Sequence, residues 1–306
     1  MKRSKIIEHN AYSAALKRVE ECHQSAKDGL PPENLKLLGP SGVGKTTLLR
    51  DYADRYPRYD TEDRTVVPVL YTRVPPRPTI RKLSSKMLRD LGSPAWKRGN
   101  EVELTEQLIT LLEACRVELV LLDELQHLVD RGGVKTHSLV ADWLKDLVDQ
   151  IDAPVVAAGL NRAQQLDEAN EQFARRFSAE CHLDLFDLAD AADLNEIGGI
   201  VTVLLKEFKI NVGTGIDISA LSAAIGYATN GTMGYITTLL ARVARICRRD
   251  GLESADGGVF SSAFRDAIWE ESPDKRDPFI SRDLATPLTG VGEPFRAAND
   301  PIKLAA

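Results

Sequence analysis

Read for its apolar and polar positions, the chain has two textures. Up to about residue 186, short apolar runs alternate with longer segments of helical period, and beyond about 190 only the helical period persists. The first run, Leu35-Lys36-Leu37-Leu38, predicts a short strand, followed at once by a glycine-rich turn and a helix over 47–56 that Pro57 ends. A second strand is expected over 66–70, with Pro68 an objection unless it lies at an edge or a bulge. Pro75-Pro76-Arg77-Pro78 reads as a loop, and Thr79 as the cap of a helix reaching about Leu91. Helices are expected over 104–113, 138–150 and 168–177, and strands over 117–122, 154–158 and 182–185. Alternation at this spacing predicts a mostly parallel sheet with both faces covered.

The flanks differ. Ala11, Ala14, Ala15, Val19 and Cys22 form a weak apolar stripe, so residues 1–34 read as a helical N-terminal arm stopped by Pro31 and Pro32. Helices over 193–208, 219–229, 233–249 and 261–269, joined by glycine and asparagine turns, read as a separate helical module. Residues 271–306, rich in Pro, Gly and Asp, read as a poorly ordered tail. The expected organisation is an arm (1–34), an α/β domain (35–188), a small all-helical domain (189–270) and a flexible tail (271–306).

Composition narrows the function. Hydrophobic residues make up 43%, enough for a core, and no run approaches the ~18–20 apolar residues that span a bilayer. The start, Met-Lys-Arg-Ser, has no apolar stretch behind it, so the expectation is a soluble cytoplasmic protein without a membrane partner. Cys22, Cys115, Cys181 and Cys247 are scattered and form no CxxC pair, which argues against a disulfide scaffold or a structural zinc. A net charge of -6 excludes a globally basic coat but leaves room for a local basic patch.

The glycine-rich turn carries the chemistry. Gly39-Pro40-Ser41-Gly42-Val43-Gly44-Lys45-Thr46 matches GxxxxGK[ST], with a strand before it and a helix, opened by Thr47, after it. Small residues let backbone N–H groups curl around phosphate oxygens while the helix points its positive end at them. Lys45 can reach the β and γ phosphates, and Thr46 can ligate Mg²⁺. The run Glu118-Leu-Val-Leu-Leu-Asp123-Glu124 delivers two carboxylates to the mouth of the sheet, Asp123 beside the metal and Glu124 to activate water. This division of labour points to ATP hydrolysis rather than nucleotide storage. Asn161, after the 154–158 strand, is placed to orient the attacking water or simply to cap the next helix. In Phe173-Ala-Arg175-Arg176-Phe177, two arginines stand between aromatic anchors. Either they form a solvated pair, or one reaches a neighbouring copy's γ-phosphate, with Arg176 slightly preferred.

Together these motifs resemble the AAA+ ATPases. More narrowly, the chain resembles the TniB/TnsC ATPase subunits of Tn7- and Tn5053-like transposons. The resemblance is carried by the segment from Leu37 to Leu49, by Leu121-Leu-Asp-Glu-Leu-Gln-His-Leu128, by 145–159, by 173–177 and by Asn230-Gly-Thr-Met-Gly-Tyr-Ile-Thr-Thr-Leu-Leu240. It implies an α/β P-loop AAA+ domain with a parallel sheet, followed by a small all-helical lid. It implies ATP and Mg²⁺ as cofactors, and assembly as rings or helical filaments on duplex DNA. Recruitment of a DDE transposase and a TniQ-like target selector would follow. By position, Lys45 and Thr46 would serve phosphate and Mg²⁺, Asp123 and Glu124 metal and hydrolysis, Asn161 the γ-phosphate, and Arg175 or Arg176 would act in trans. Many AAA+ lids place an arginine near the turn that here reads Gly234-Tyr235, so Tyr235 becomes the candidate nucleotide contact. A helper or loader ATPase for another DNA-processing machine, such as replication initiation or helicase loading, has the same fold and a different client.

The basic patch lies between Arg73 and Arg98, where eight basic residues meet a single acid, Asp90. If the segment is helical, Lys82, Lys86 and Arg89 share one face, with Arg77 and Arg81 beside them. Such a ridge suits phosphate contacts of the sequence-blind, salt-dependent kind. The resemblance implies that this insert lines a DNA channel. Arg131 and Lys135, in the loop after the metal-binding strand, are candidates for a second contact. No helix-turn-helix or zinc finger is apparent, so base-specific readout is not expected.

Overall fold

The computed structural model describes residues 6–27, 32–130, 134–281, 284 and 286–296, with backbone only at 26, 134–138 and 169. These residues form two compact units, one of Asn10–Leu183 and one of the described residues outside that span.

In the first unit, helix α1 (Asn10–Lys27) precedes strand β1 (Leu35–Leu38) and helix α2 (Lys45–Arg55). A small antiparallel ribbon, β2 (Tyr59–Asp60) with β3 (Thr65–Val66), leads into β4 (Val69–Arg73). Helices α3 (Ile80–Leu91) and α4 (Glu101–Ala114), strand β5 (Leu119–Asp123), a short α5 (His127–Asp130) and α6 (Val134–Gln150) follow. Strand β6 (Val155–Gly159), the short α7 (Gln165–Ala169) and α8 (Glu171–Arg176), and strand β7 (Ala179–His182) complete it. The five-stranded sheet has the order β4-β5-β6-β1-β7, and each pairing in it is parallel. Strands β1, β5 and β6 are buried along their whole length, which explains their unbroken apolar runs. All five strands end at one edge, where open parallel sheets bind ligands.

The expected cap of α3 is present, and the structure adds two more. The Thr79 side chain accepts from Lys82 N and opens α3, and Gly92 closes it in a left-handed conformation. Asn100 and Glu103 form a reciprocal capping box at α4. Other expectations are corrected. The strand expected over 66–70 is broken at Pro68, which has no N–H for the ladder and instead accepts through its carbonyl from Glu118 N and Leu119 N. The helix expected over 168–177 is two helices, because the Asn170 side chain caps α8 by accepting from Phe173 N. The last strand lies at 179–182 rather than 182–185, in register with Leu35–Leu38. Helix α1 is no separate arm: Tyr12, Ala15, Leu16, Val19 and Cys22 are buried in this unit, and Ala14 is exposed. Buried His23 joins α1 to α2 and to the residue before β5, with Nδ1 2.9 Å from the Tyr52 hydroxyl and Nε2 3.1 Å from Glu118. Lys36 of β1, also buried, is ion-paired to Asp167 and Glu180.

The second unit consists of α9 (Ala191–Phe208), α10 (Ile218–Ala228), α11 (Met233–Asp250) and α12 (Gly257–Ala267), around a core that includes Ile197, Val201, Ile225, Leu239, Val243, Phe260 and Phe264. The flexible tail expected over 271–306 is corrected for its described part. Leu288 and Phe295 are buried in this core, and Asp277, fully buried, accepts from the Ser261 hydroxyl and the Arg265 guanidinium. Arg276 pairs with Glu293 and donates to the carbonyls of Thr286 and Pro287. Among the described residues, no helix is long and apolar enough to cross a membrane.

Candidate active site

The phosphate-loop sequence turns tightly between β1 and α2. Gly39 passes so close to the end of β7 that a Cβ there would lie 2.0 Å from the Leu183 carbonyl oxygen. Gly44 caps α2 at φ 111°, a conformation open to glycine, with nothing within 4 Å of the place where a Cβ would stand. Lys45 is buried and curls back over the loop, its Nζ donating to the carbonyls of Gly39 at 2.7 Å and Pro40 at 2.6 Å. Thr46 Oγ1 donates to Asp123 Oδ2 at 2.8 Å. The loop residue and the end of β5, far apart in sequence, are thus one hydrogen-bonded pair.

Asp123 is only 2% exposed, and its contacts are more elaborate than the sequence suggests. The Tyr71 hydroxyl of β4 donates to the same Oδ2 at 2.8 Å, Glu124 N donates to Oδ1 at 3.0 Å, and Arg73 Nε lies 3.8 Å from Oδ2. Arg73 stands opposite Asp123 in the β4–β5 register, and its guanidinium donates to Glu124 Oε1 at 2.8 Å. Glu124 sits at φ 68°, a left-handed conformation costly for a residue with a Cβ and held here by its neighbours. Its other oxygen accepts from the buried Gln126 amide, whose own oxygen accepts from Leu160 N at 3.1 Å. Burial pushes the Glu124 carboxyl up, but Arg73, Gln126 and nearby His127 outweigh it and hold it below the usual carboxylate range. For the Tyr71 hydroxyl, burial and then Asp123 act together and push it up to about 12.

Asn161 is exposed just beyond β6. Its neighbour Arg162 forks onto Asp130 at the end of α5, with NH2 2.8 Å from Oδ2. At the end of α8, Phe173 and Phe177 are fully buried and stacked with centroids 4.6 Å apart, so the two intervening arginines face outward. Their settings differ. Arg176 is held by Asp149 through two hydrogen bonds, whereas Arg175 is 73% exposed and pairs only one turn back with Glu171. Tyr235, in the second unit, is 42% exposed and packs edge-on against Phe295.

The basic segment is helical as expected, with Lys82, Lys86 and Arg89 at i, i+4 and i+7 of α3, and several of its cations have partners. Lys86 is ion-paired with Asp90, which also accepts from the buried Thr72 hydroxyl. Lys82 Nζ donates to the Arg77 carbonyl at 3.3 Å, and Arg77 itself sits in a turn at φ 52°. Arg81 donates to the Gly99 carbonyl, beside Lys97. Arg89 and Lys97 flank the Trp96 ring, at 5.4 and 4.5 Å from its centroid. Two of the cations, Arg89 and Lys97, thus meet at Trp96. Arg131 lies outside the described residues, as does the side chain of Lys135. The sequence offers no signal that Tyr71 and Arg73 meet Asp123 and Glu124, because the β4–β5 register brings them there; Gln126 reaches Glu124 from the following turn, and Arg162 reaches Asp130 from the turn after β6.

Comparison with known proteins gives the family and the fold. A sequence profile of the family described as "Bacterial TniB protein" matches residues 1–185. A comparison with curated protein sequences found no match. Among solved structures, the ORC1 protein of Aeropyrum pernix in complex with DNA is similar with a TM-score of 0.60 at 18% identity, over 86% of this chain and 66% of that one. The ORC2 protein of the same organism, in ADPNP–ADP complexes, matches with a TM-score of 0.60 at 15% identity, over 86% and 68%. The RuvB Holliday junction branch migration motor of Thermotoga maritima matches with a TM-score of 0.52 at 14% identity, over 83% and 68%. The chain spans about two thirds of the length of these relatives. The likeness establishes the fold, an α/β P-loop AAA+ ATPase domain with a parallel sheet followed by a helical region.

Proposed function

The chain belongs to the bacterial TniB family, and from the site just described we propose that it is a Mg²⁺-dependent ATPase that assembles on duplex DNA and regulates transposition. The observation that carries this reading is the meeting of Lys45, Thr46, Asp123 and Glu124 at one sheet edge, with Thr46 and Asp123 in direct hydrogen bond. A buried carboxylate and a hydroxyl form a hard-oxygen donor set that fits Mg²⁺. Thr46 and Asp123 would hold the ion, which when bound neutralises phosphate charge. Lys45 would turn from the carbonyls of Gly39 and Pro40 to the β and γ phosphates, within the cradle formed by the backbone of 39–47. Glu124 would leave Arg73 to orient the attacking water, with Asn161 at the γ-phosphate. Tyr235 is the proposed lid contact to nucleotide.

The site is completed in this reading by an arginine of the adjacent copy. Arg175 is the better finger, because an exposed pair within one helix costs little to open. Hydrolysis would then require a homo-oligomer, a ring or a helical filament. Arg81, Lys82, Arg89 and Lys97 would contact DNA phosphates without reading bases, with Arg77, Lys86, Arg131 and Lys135 as further candidates. The clients would be a DDE transposase and a TniQ-like target selector.

Negative-stain imaging on duplex DNA tests the reading. Glu124→Gln with ATP is expected to form persistent DNA-bound assemblies that need nucleotide and survive where wild-type assemblies dissolve. A variant that stays monomeric at saturating ATP contradicts it.

A further inference from the structure

Asp123 Oδ2 receives two hydroxyl donors, Thr46 Oγ1 and the Tyr71 hydroxyl, each at 2.8 Å. Thr46 is accounted for by the phosphate-loop motif, and Tyr71 is not. Tyr71 stands on β4 opposite Leu121, two residues before the Arg73–Asp123 pair, so its side chain must run along the sheet to reach the carboxylate. Its oxygen accepts from Arg50 Nε at 3.2 Å, and the Arg50 guanidinium lies 5.4 Å from the ring centroid. With a lone pair occupied by Arg50, the phenol proton is directed at Asp123. Arg50 lies on α2, the helix that Lys45 and Thr46 open. One tyrosine thus ties the helix of the phosphate loop to the strand that carries Asp123.

We propose that Tyr71 is a positioning residue for the metal-binding carboxylate, fixing the Asp123 rotamer for the divalent cation. The proposal rests on the nucleotide reading above and goes beyond it by naming a residue that the phosphate-loop motif does not contain. The chemistry suits the task. A phenol is a neutral donor, so it orients the carboxylate without cancelling the negative charge a cation needs. The nearby guanidinium of Arg73, by contrast, is a competing cation and points mainly at Glu124. When the Thr46 oxygen turns to the metal, Tyr71 still holds Asp123 in place. Groups of this kind, one step removed from the ion, typically alter metal affinity about 10- to 100-fold when removed.

The test is Mn²⁺ binding to the full chain, read by electron paramagnetic resonance in the presence of a slowly hydrolysed ATP analogue. Tyr71→Phe keeps the ring and its packing and removes only the donor. It is expected to weaken Mn²⁺ about tenfold or more, while analogue binding in EDTA and the melting temperature stay at wild-type values. Arg50→Met, which leaves Tyr71 in place but unaimed, is expected to weaken Mn²⁺ by a smaller factor. Unchanged Mn²⁺ affinity in Tyr71→Phe would overturn the proposal, as would an equal loss of analogue binding in EDTA. If the unaltered protein binds no Mn²⁺ with the analogue, the nucleotide reading itself fails, and this inference with it.

Discussion

Gly39→Ala sets backbone against backbone. The new Cβ would lie 2.0 Å from the Leu183 carbonyl oxygen and 3.0 Å from its carbon, at φ +158°. Contacts below 3.0 Å do not persist, so the phosphate loop and the end of β7 must part by about 1 Å. Neither side gives easily, because Leu183 N is itself bonded to the Leu38 carbonyl at 2.8 Å. Overpacking of this kind costs about 1–3 kcal/mol, and with no flexible side chain to absorb it the upper end is expected. Gly199 is the control. It is exposed within α9 and has nothing within 4 Å of its Cβ position, so alanine there should stabilise by about 0.5–1 kcal/mol. Urea unfolding followed by circular dichroism reads both changes. Gly39→Ala should also weaken binding of a fluorescent ATP analogue, because the displaced loop is the phosphate cradle. A Gly39→Ala protein within 0.5 kcal/mol of wild type, with unchanged analogue binding, would refute the reasoning.

Other consequences can be measured separately. Glu124→Gln should keep nucleotide binding and lose about 10²-fold or more of ATP turnover, the usual scale for a positioned acid–base group; turnover near wild type excludes Glu124 from the chemistry. Replacing Lys82 and Arg89 with alanine should lower DNA affinity equally across sequences and reduce the log–log salt slope by about 2, read by fluorescence anisotropy over a salt series. Burial first, and then Lys27, hold His23 below its ordinary value against the pull of Glu118. The unfolded chain therefore takes up this proton at a higher pH than the folded one. The stability associated with His23 is whole above about pH 6.5 and is lost as pH falls from there toward the folded value. Melting temperatures between pH 8 and pH 5 should fall on the acid side, and His23→Gln should flatten the curve.

What could be read from the sequence follows from where the signal was local. Strand β1, the phosphate loop and β5 with its terminal carboxylates stand out because buried parallel strands are apolar throughout and the loop must be small. The edge strand β7 is hard to place from sequence because it alternates, with Glu180 and His182 facing out, while the apolar Leu183 that follows marks the end of the sheet. The break at Asn170 was hidden because a cap inside a helical pattern looks like an ordinary polar position. The order in the tail is not legible in its composition, because a few anchors, Asp277, Leu288 and Phe295, fix a segment whose average suggests none. Tyr71 and Arg73 belong to the site through sheet register, a long-range fact that spacing along the chain does not encode. The helix carrying the basic residues is legible from its spacing, whereas the Lys86–Asp90 pair and the cation contacts of Arg89 and Lys97 with Trp96 come from side-chain placement.

An active site finished by a second copy of the chain can be probed by mixing two inactive variants. The double variant Arg175→Ala/Arg176→Ala keeps Glu124 but offers no arginine, and Glu124→Gln offers the arginines but has no water-orienting carboxylate. Alone on duplex DNA, each should turn over ATP at a small fraction of the wild-type rate, with about 10³-fold or more lost for the missing arginines. Mixed, they should recover turnover, because interfaces form in which one copy supplies Glu124 and the other the guanidinium. Full turnover by the double variant alone, or no recovery on mixing, would contradict a site shared between copies.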